Sequence, residues 1–562
     1  MPSTLVGSGN TVDFGVYLDD VCRRFKVPGI SIAIIRLDQA PEFHNWGTRS
    51  EDNAASNEDT LYSICSNSKA FAATALGILL DDFQHGRNVA PLPAGLEPLD
   101  WTTKVADLLP EEWHLQDEFA NRNANLLDLL SHTTGMPRHD LAYTLTMDIK
   151  GVVQALRHLR PIVELRERWK YNNMMFGVAS YIVQKYSLQT YTEFVTSRIL
   201  KPLGMNGSTF SPQEAFDSGN LTQSWAESTG PGQGTRLIPF WIYEWNDSAI
   251  SVNAGAGGLI SSTKDMAQWV TSLMKEGKHP VTEEQIIPAS VIETTMLGHT
   301  VVEGKPEYPE LSAKLYGLGW LRYSYQGHQI VQHSGDAPGY TILTSLLPDD
   351  GIGIVTLVNG DGKQDAIKCI HYRIMEDELG LRHIDWPDRL SKQSEAEQRN
   401  EPRLASGNVI DTPSLPLTEF VGTYSSPGYV DYFRLCAWPS STDSESQAVF
   451  SAYEACDPTF AGQHQTALYA SWRRLWSTHF KLLPDPSGPG RFTMHPVSLY
   501  PHGAGKDTSP FLFRFFSVKT TVEFEIVDRK VTGMGLWNEP GEKEPPIGNP
   551  RKDAEAWFDK VA

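Results

Sequence analysis

Cysteine is scarce in this 562-residue chain: five residues, Cys22, Cys65, Cys369, Cys436 and Cys456, scattered without a C-x-x-C pair. That spacing offers neither a zinc cradle nor a dithiol redox motif. The odd count favours free thiols in a reducing compartment, with Cys436 and Cys456 as the one conceivable pair. No apolar run approaches the roughly 18 residues needed to cross a bilayer. The segment Met1 to Asn10 lacks both a basic n-region and an apolar h-region, so no membrane partner and a cytoplasmic location are expected. Basic blocks are absent and the formal charge is −20, which argues against nucleic acid as a partner. A G-x-S-x-G elbow, an H-E-x-x-H helix and a Walker loop are missing too. Gly255-Ala256-Gly257-Gly258 lacks the Lys-Ser/Thr of a phosphate loop and reads as a tight turn. No metal and no cofactor are expected.

What remains is an ordinary globular composition, 40% hydrophobic and 21% charged, long enough for two or three domains. Val12, Phe14, Tyr17, Leu18, Val21 and Phe25 recur at helical spacing, and Pro28-Gly29 then turns into the β-branched run Ile30 to Ile35. Further strands are expected at 319–325, 329–332, 340–347 and 352–358, with helical patterns at 173–184 and 191–200 and a closing helix at about 364–379. The fold class is therefore α/β in the α+β sense, a sheet flanked by helices with an all-helical excursion. The polar, Glu-, Ser-, Asn- and Pro-rich composition from Ser391 to Pro416 reads as a linker. Short strand-like pieces follow at 420–424, 432–435, 492–494, 511–516, 521–527 and 531–536, spaced as in a small antiparallel barrel or sandwich. The expected organisation is a catalytic domain over 1–385, a linker over 386–416 and a barrel over 417–562.

Chemistry enters at Ser66-Asn67-Ser68-Lys69, which opens an apolar helical run from Ala70 to Leu80. A serine hydroxyl is a poor nucleophile at neutral pH, and a lysine three residues on along a helix reaches the same face and can take its proton. The S-x-x-K pattern also occurs at Ser261 to Lys264 and at Ser272 to Lys275. The hydroxyls at 261–263 stand just before an amphipathic run and read as helix caps. Ser272 lies inside that run, where serine faces solvent or bonds to its own turn. Ser66 differs because the run it opens is apolar nearly all round, the mark of a buried helix. Cys65 beside it is a rival nucleophile or a small buried side chain.

Tyr171-Asn172-Asn173 opens a second apolar helix, so Tyr171 and Asn173 sit on a similar loop-to-helix corner. A tyrosine near a lysine ammonium can be pushed toward phenolate and share the base role. His333-Ser334-Gly335 follows a strand-like segment, with Asp336 after it. There a backbone N–H can point into a site while substrate lies along the strand.

Together these pieces resemble the serine β-lactamase and penicillin-recognising family, in its class C-like branch of esterases, D-amino-acid peptidases and acyltransferases. Residues 129–137 (Leu-Leu-Ser-His-Thr-Thr-Gly-Met-Pro), 202–205 (Pro-Leu-Gly-Met), 257–259 with Ser262, Asp265 and Met266, and 316–320 (Tyr-Gly-Leu-Gly-Trp) are similar to further family blocks in the family's order. The resemblance implies a β-lactamase/transpeptidase-like fold with an antiparallel sheet. It implies Ser66 as acylated nucleophile, Lys69 and Tyr171 as bases, Asn173 as an orienting amide and His333, Ser334 and Gly335 along the substrate. The backbone N–H groups of Ser66 and Asp336 would form the oxyanion hole. Two departures stand out. His333 replaces the lysine that meets a substrate carboxylate, which shifts the expectation from β-lactam hydrolysis toward esters or amides. Leu165 to Lys170 lacks the family's proline-glycine turn. Trp225, Trp241, Tyr243 and Trp245 fall in a long insertion at 212–251 and pack a core or line an aromatic pocket. Residues 420–424, 427–429 and 531–536 resemble a lipocalin-like barrel appended to some D-aminopeptidases, which could wall the mouth of the site.

The expected function is a serine hydrolase acting on a small-molecule ester, amide or peptide through an acyl-Ser66 intermediate. The alternatives are an acyltransferase or cyclase passing the acyl group to an amine or alcohol in natural-product metabolism, a D-stereospecific peptidase or weak β-lactamase, and a non-catalytic binding protein. The sequence sets no oligomeric state.

Overall fold

The β-branched run Gly29–Arg36 is buried on both faces, as are Tyr340–Leu347 and Ile352–Val358, and such segments form the middle of a covered sheet. In the computed structural model they lie side by side in an eight-stranded sheet. The model describes residues 13–561 apart from 97–98, 145, 228–233, 243–245, 401–414, 489, 516–519 and 538–548. Strand order is Glu42–Gly47, Gly29–Arg36, Ile352–Val358, Tyr340–Leu347, His328–Ala337, Leu321–Tyr325, Lys314–Tyr316 and Thr300–Glu303, every pairing antiparallel. Because strand side chains alternate, Ala33 and Ile35 join one core with Phe71 and Trp269. Ile30, Ile32 and Ile34 face the other layer, with Leu18, Val21, Ile367 and Ile370 from the helices Phe14–Arg24 and Gln364–Leu379.

The helical excursion centres on Ser68–Gln84, Asn173–Ser187 and Asp247–Gly257, which pack on one another. The first is buried nearly all round, as its composition requires. The expected linker is corrected at its start: the chain is helical over Trp386–Asn400. Trp386 and Leu390, one turn apart, bury into the second layer, and Trp386 Nε1 donates to Tyr325 Oη at 2.9 Å. The remainder of that stretch, 401–414, lies outside the described residues.

The C-terminal strands pair in the order His479–Pro484, Leu468–Ser471, Tyr429–Ala437, Gly422–Ser426, Ala556–Lys560, Lys530–Trp537, Thr520–Val527 and Arg491–Tyr500, and the last pairs back to the first. The result is a closed eight-stranded antiparallel barrel, with Phe511–Phe513 added outside on Arg491–Tyr500. Closure removes the exposed edges an open sheet would present. Cys436 and Cys456 are both buried and unbridged.

The barrel is docked on the helical region. Tyr429 Oη lies 3.0 Å from His139 Nδ1, and Arg160 donates to the carbonyls of Lys552 at 3.0 Å and Ala554 at 2.9 Å. Arg236 of the insertion donates to Ser509 O at 2.8 Å and stacks its guanidinium 4.3 Å from the Phe511 ring centre.

Candidate active site

Ser66 sits in a single 3₁₀ turn, Cys65–Asn67, that leads into the helix Ser68–Gln84. The turn is sharp enough to put Cys65 in the left-handed region at φ +51°, an unusual conformation for a residue with a Cβ. Burial pushes the Cys65 thiol well up from its usual range, so it stays protonated and inert as a nucleophile. Ser66 Oγ accepts from Tyr171 Oη at 2.8 Å and lies 3.0 Å from Lys69 Nζ. The rival serines fall away. Ser262 caps the helix Thr263–Met274 through the Asp265 N–H, and Lys264 pairs with Asp59. Ser272 is fully buried with no partner for its hydroxyl among the described residues. It neither faces solvent nor bonds back to its turn, as the sequence had suggested, because the apolar packing of its helix encloses it.

Lys69 is fully buried, and its amine donates to Ala256 O at 2.7 Å. No carboxylate among the described residues lies within ion-pair distance of it. Burial, reinforced by the Arg138 cation, drives its pKa far below the ordinary lysine value, against smaller upward pulls from Asp140 and Cys65. Desolvation therefore favours the uncharged amine. Tyr171 behaves differently from the expectation of a phenolate. Burial pushes its hydroxyl well up, and the opposing influences of Arg138 and the Ser66 hydrogen bond do not overcome it. Burial of Lys69 likewise disfavours the ammonium that was to draw out the phenolate.

The Leu129 to Pro137 block holds Tyr171 in place. His132, at φ +60°, accepts the Asn172 N–H on Nδ1 at 3.1 Å and lies 4.5 Å, ring to ring, from Tyr171. Asn172 Nδ2 donates to Pro137 O and Lys170 N to His132 O. The missing proline-glycine turn is replaced by an ion pair, in which Arg166 grips Asp128 with two bonds of 2.7 Å. Asn173 points its amide at Asp140 Oδ1, 2.9 Å away, and Asp140 Oδ2 accepts from Arg138 at 2.6 Å. Arg138 in turn lies 5.0 Å from the Tyr171 ring centre. The pair Arg138 and Asp140 was not read as functional from sequence; its proximity to the 129–137 block was the only available signal.

The strand carrying His333, Ser334, Gly335 and Asp336 runs on to Ala337, beyond the end read from sequence, because its pairing with Tyr340–Leu347 continues through Gly335 and Asp336. A Cβ on Gly335 would stand 2.7 Å from Ile64 O and 2.9 Å from Cys65 Cβ. Glycine thus lets this strand lie against the serine turn. Gly319 does the same behind the helix, where a Cβ would meet Lys69 O at 2.8 Å. His333 is buried, with Nδ1 2.6 Å from Ser334 O and Nε2 2.9 Å from Tyr316 Oη. A carbonyl can only accept, so Nδ1 carries the proton and Nε2 accepts from Tyr316. Burial lowers its pKa to about 3. His333 is therefore neutral. The Asp336 side chain accepts from Gln364 and is raised to about 6, mainly by burial.

These residues line one cavity of about 770 Å³. Ser66, Tyr171, Asn173, His333, Ser334 and Asp336 all face it, with Arg138 and Asp140 on one wall. Trp241 of the insertion lines it too, while Trp225 lies in the short strand Ser224–Glu227 and Tyr243 and Trp245 lie outside the described residues. Trp476, Pro496, Phe515 and Thr520 of the barrel complete the lining, so the C-terminal region supplies part of the wall.

A serine–lysine–tyrosine cluster between an antiparallel sheet and a helical region is the architecture of the penicillin-recognising serine enzymes. The chain belongs to the beta-lactamase family, whose sequence model matches residues 18–374, and it is a serine hydrolase of that kind. It is 27% identical to an unguisins hydrolase of Aspergillus campestris over 436 residues, 74% of this chain and 76% of that one. Among solved structures, the octameric penicillin-binding protein homologue from Pyrococcus abyssi superposes with a TM-score of 0.55 at 19% identity, over 97% of this chain and 98% of that one. The D-amino acid amidase from Ochrobactrum anthropi SV3 superposes with a TM-score of 0.52 at 19% identity, over 65% of this chain and 98% of that one. At such identities the likeness is one of fold. Among the described residues no helix is long and apolar enough to cross a membrane.

Proposed function

We propose that this protein cleaves an ester or amide by forming an acyl intermediate on Ser66, with Lys69 as the base. The observation that carries the proposal is the Ser66 hydroxyl held 3.0 Å from a lysine amine that burial keeps uncharged. In the first half-reaction Ser66 Oγ attacks the carbonyl carbon as its proton moves to Lys69 Nζ. The oxyanion that develops is received by the backbone N–H groups of Ser66 and Asp336, at the point where Gly335 brings strand and turn together. The tetrahedral intermediate collapses with loss of the amine or alcohol. Tyr171, a neutral phenol bonded to the same oxygen, donates the proton that the leaving group needs and is restored by the proton Lys69 holds. Water then attacks the acyl carbon with the same groups in reversed roles. Asn173, fixed by Asp140, orients the substrate amide.

The neutral His333 supports uncharged acyl donors over carboxylate-bearing ones, since it offers no fixed charge where the substrate lies. Hydrolase activity in the relative from Aspergillus campestris is in keeping with water as acceptor. Intact-mass analysis after incubation with a small alkyl fluorophosphonate tests the proposal. A single adduct on the wild-type chain and none on Ser66→Ala is expected. An unmodified wild type, or equal labelling of Ser66→Ala, would refute it.

A further inference from the structure

Three aromatic rings from three separate segments form a continuous stack on the wall of the Ser66 cavity. Trp241 and Trp476 lie 4.9 Å apart at 17°, and Trp476 and Phe515 lie 5.5 Å apart at 23°. All three line the cavity with Ser66 and Tyr171. Trp241 is anchored from below, where its indole N–H donates to Ser63 Oγ at 3.2 Å, three residues before the nucleophile. Trp476 and Phe515 come from the barrel and are only partly buried. Trp476 stacks near-parallel with both Trp241 and Phe515 and lines the cavity. Aromatic edges carry the positive rim of the ring quadrupole, and their preferred partner is the negative face of another ring.

From this we infer that the stack is a substrate subsite for an aromatic ring, received face-on by the edge of Trp476, and that the C-terminal barrel is a specificity element of the hydrolase. The subsite rests on the acyl-Ser66 reading and adds to it the class of substrate: an ester or amide bearing an aryl side chain. Room is not limiting, because about 770 Å³ stands in the upper part of the usual range for ligand pockets, about 300–1,000 Å³. Charge also fits. Of the ionisable residues in the lining, Arg138 is paired with Asp140, Glu303 with Lys314, Asp336 accepts from Gln364, Lys170 is buried and His333 is neutral, so an uncharged aryl group enters without breaking an ion pair.

The test compares wild type with Trp476→Leu on two ester series followed by pH-stat: phenylpropanoyl against propanoyl methyl esters, and phenethyl against methyl propanoates. Leucine keeps apolar bulk but removes the aromatic edge. The expected result is that the aryl-to-alkyl ratio of kcat/KM falls about 3- to 10-fold in at least one series, while the small methyl propanoate and the rate of Ser66 labelling by a small fluorophosphonate are unchanged. Trp476→Met, which also removes the aromatic edge, carries the same readout if Trp476→Leu is insoluble. An unchanged ratio in both series overturns the subsite. So does an equal loss of labelling and of both substrates, which would make the stack a packing feature. Failure of the wild type to label would instead strike the acyl-Ser66 reading.

Discussion

Replacing Lys69 by methionine isolates the base. The side chain is fully buried; among the described residues its nitrogen bonds Ser66 Oγ and Ala256 O, lies over the Tyr171 and Phe176 rings and pairs with no carboxylate, so a methionine of similar reach leaves no stranded carboxylate behind. The fold loses one hydrogen bond to Ala256 O, for which an unpaired buried carbonyl costs about 1–3 kcal/mol. It also loses an amine that burial held against its preference for charge, so the melting temperature should change little. The catalytic loss is larger. A positioned base contributes about 10²–10⁴-fold, or about 2.7–5.4 kcal/mol at 1.36 kcal/mol per decade. The pH profile supplies a second readout. Because the Lys69 pKa is lowered in the folded protein, the wild type holds the free amine above that lowered value and loses it as pH falls through it. The acylation rate should therefore drop on the acid side with a slope of one, and Lys69→Met should lack that limb. Stopped-flow release of p-nitrophenol from an activated ester measures the acylation burst. Acylation of Lys69→Met within tenfold of wild type, or an acid limb that survives the substitution, would refute the assignment.

Gly335→Ala should cost more than its single methyl suggests, because the new Cβ would press on backbone at Ile64 O and on Cys65 Cβ, 2.7 and 2.9 Å away. Strand and serine turn must part, so Ser66 labelling should slow at least tenfold with a smaller effect on the far-ultraviolet dichroism, and labelling at the wild-type rate would contradict the proposed fit. Acid should destabilise the protein by a route independent of the active serine. Burial lowers His139 to about 4, His371 to about 3 and His479 to about 4, all below the ordinary value of about 6.5. Between the folded and unfolded values the unfolded chain binds more protons, so stability is complete above about 6.5 and is lost as pH falls toward 4. Asp336 and Asp361, raised to about 6, and Asp265 and Glu376, also raised by burial, act in the opposite direction, while Glu112, Glu310 and Asp457, held below the usual range, despite burial, by Lys185, Arg389 and Lys481, add to the loss in acid. Calorimetry should show a lower Tm at pH 4.5 than at pH 7, and an equal or higher Tm in acid would count against the buried neutral histidines.

The sheet was legible wherever burial on both faces forced an unbroken apolar, β-branched run: 340–347 and 352–358 are strands over just those residues, and 364–379 is the closing helix. Legibility failed where a few side chains decide against composition. The stretch after 385 is polar enough to pass for a linker, yet Trp386 and Leu390 suffice to seat a helix in the second layer. The barrel strands Leu468–Ser471, His479–Pro484 and Ala556–Lys560 were missed. They are short, and Lys481 on the second of them is a buried charge whose partner, Asp457 at 2.6 Å, lies 24 residues away in sequence. No periodicity announces such a pair.

The site divides along the same physical line. Ser66, Lys69, Tyr171 and Asn173 stand at the openings of apolar helices, where a polar residue is conspicuous; Ser66, Tyr171 and Asn173 line one cavity, and Lys69 lies buried behind Ser66, 3.0 Å from its hydroxyl. What the sequence misjudged was their protonation. Proximity suggested an ammonium polarising a phenol, but desolvation is the largest influence on each group and pushes both toward their neutral forms. Enclosure is a property of three dimensions, and much of it is supplied from outside the matched family region. Trp476, Pro496, Phe515 and Thr520 close the cavity from residues beyond 374. No periodicity within the matched region could therefore show that rings from the barrel border the Ser66 cavity.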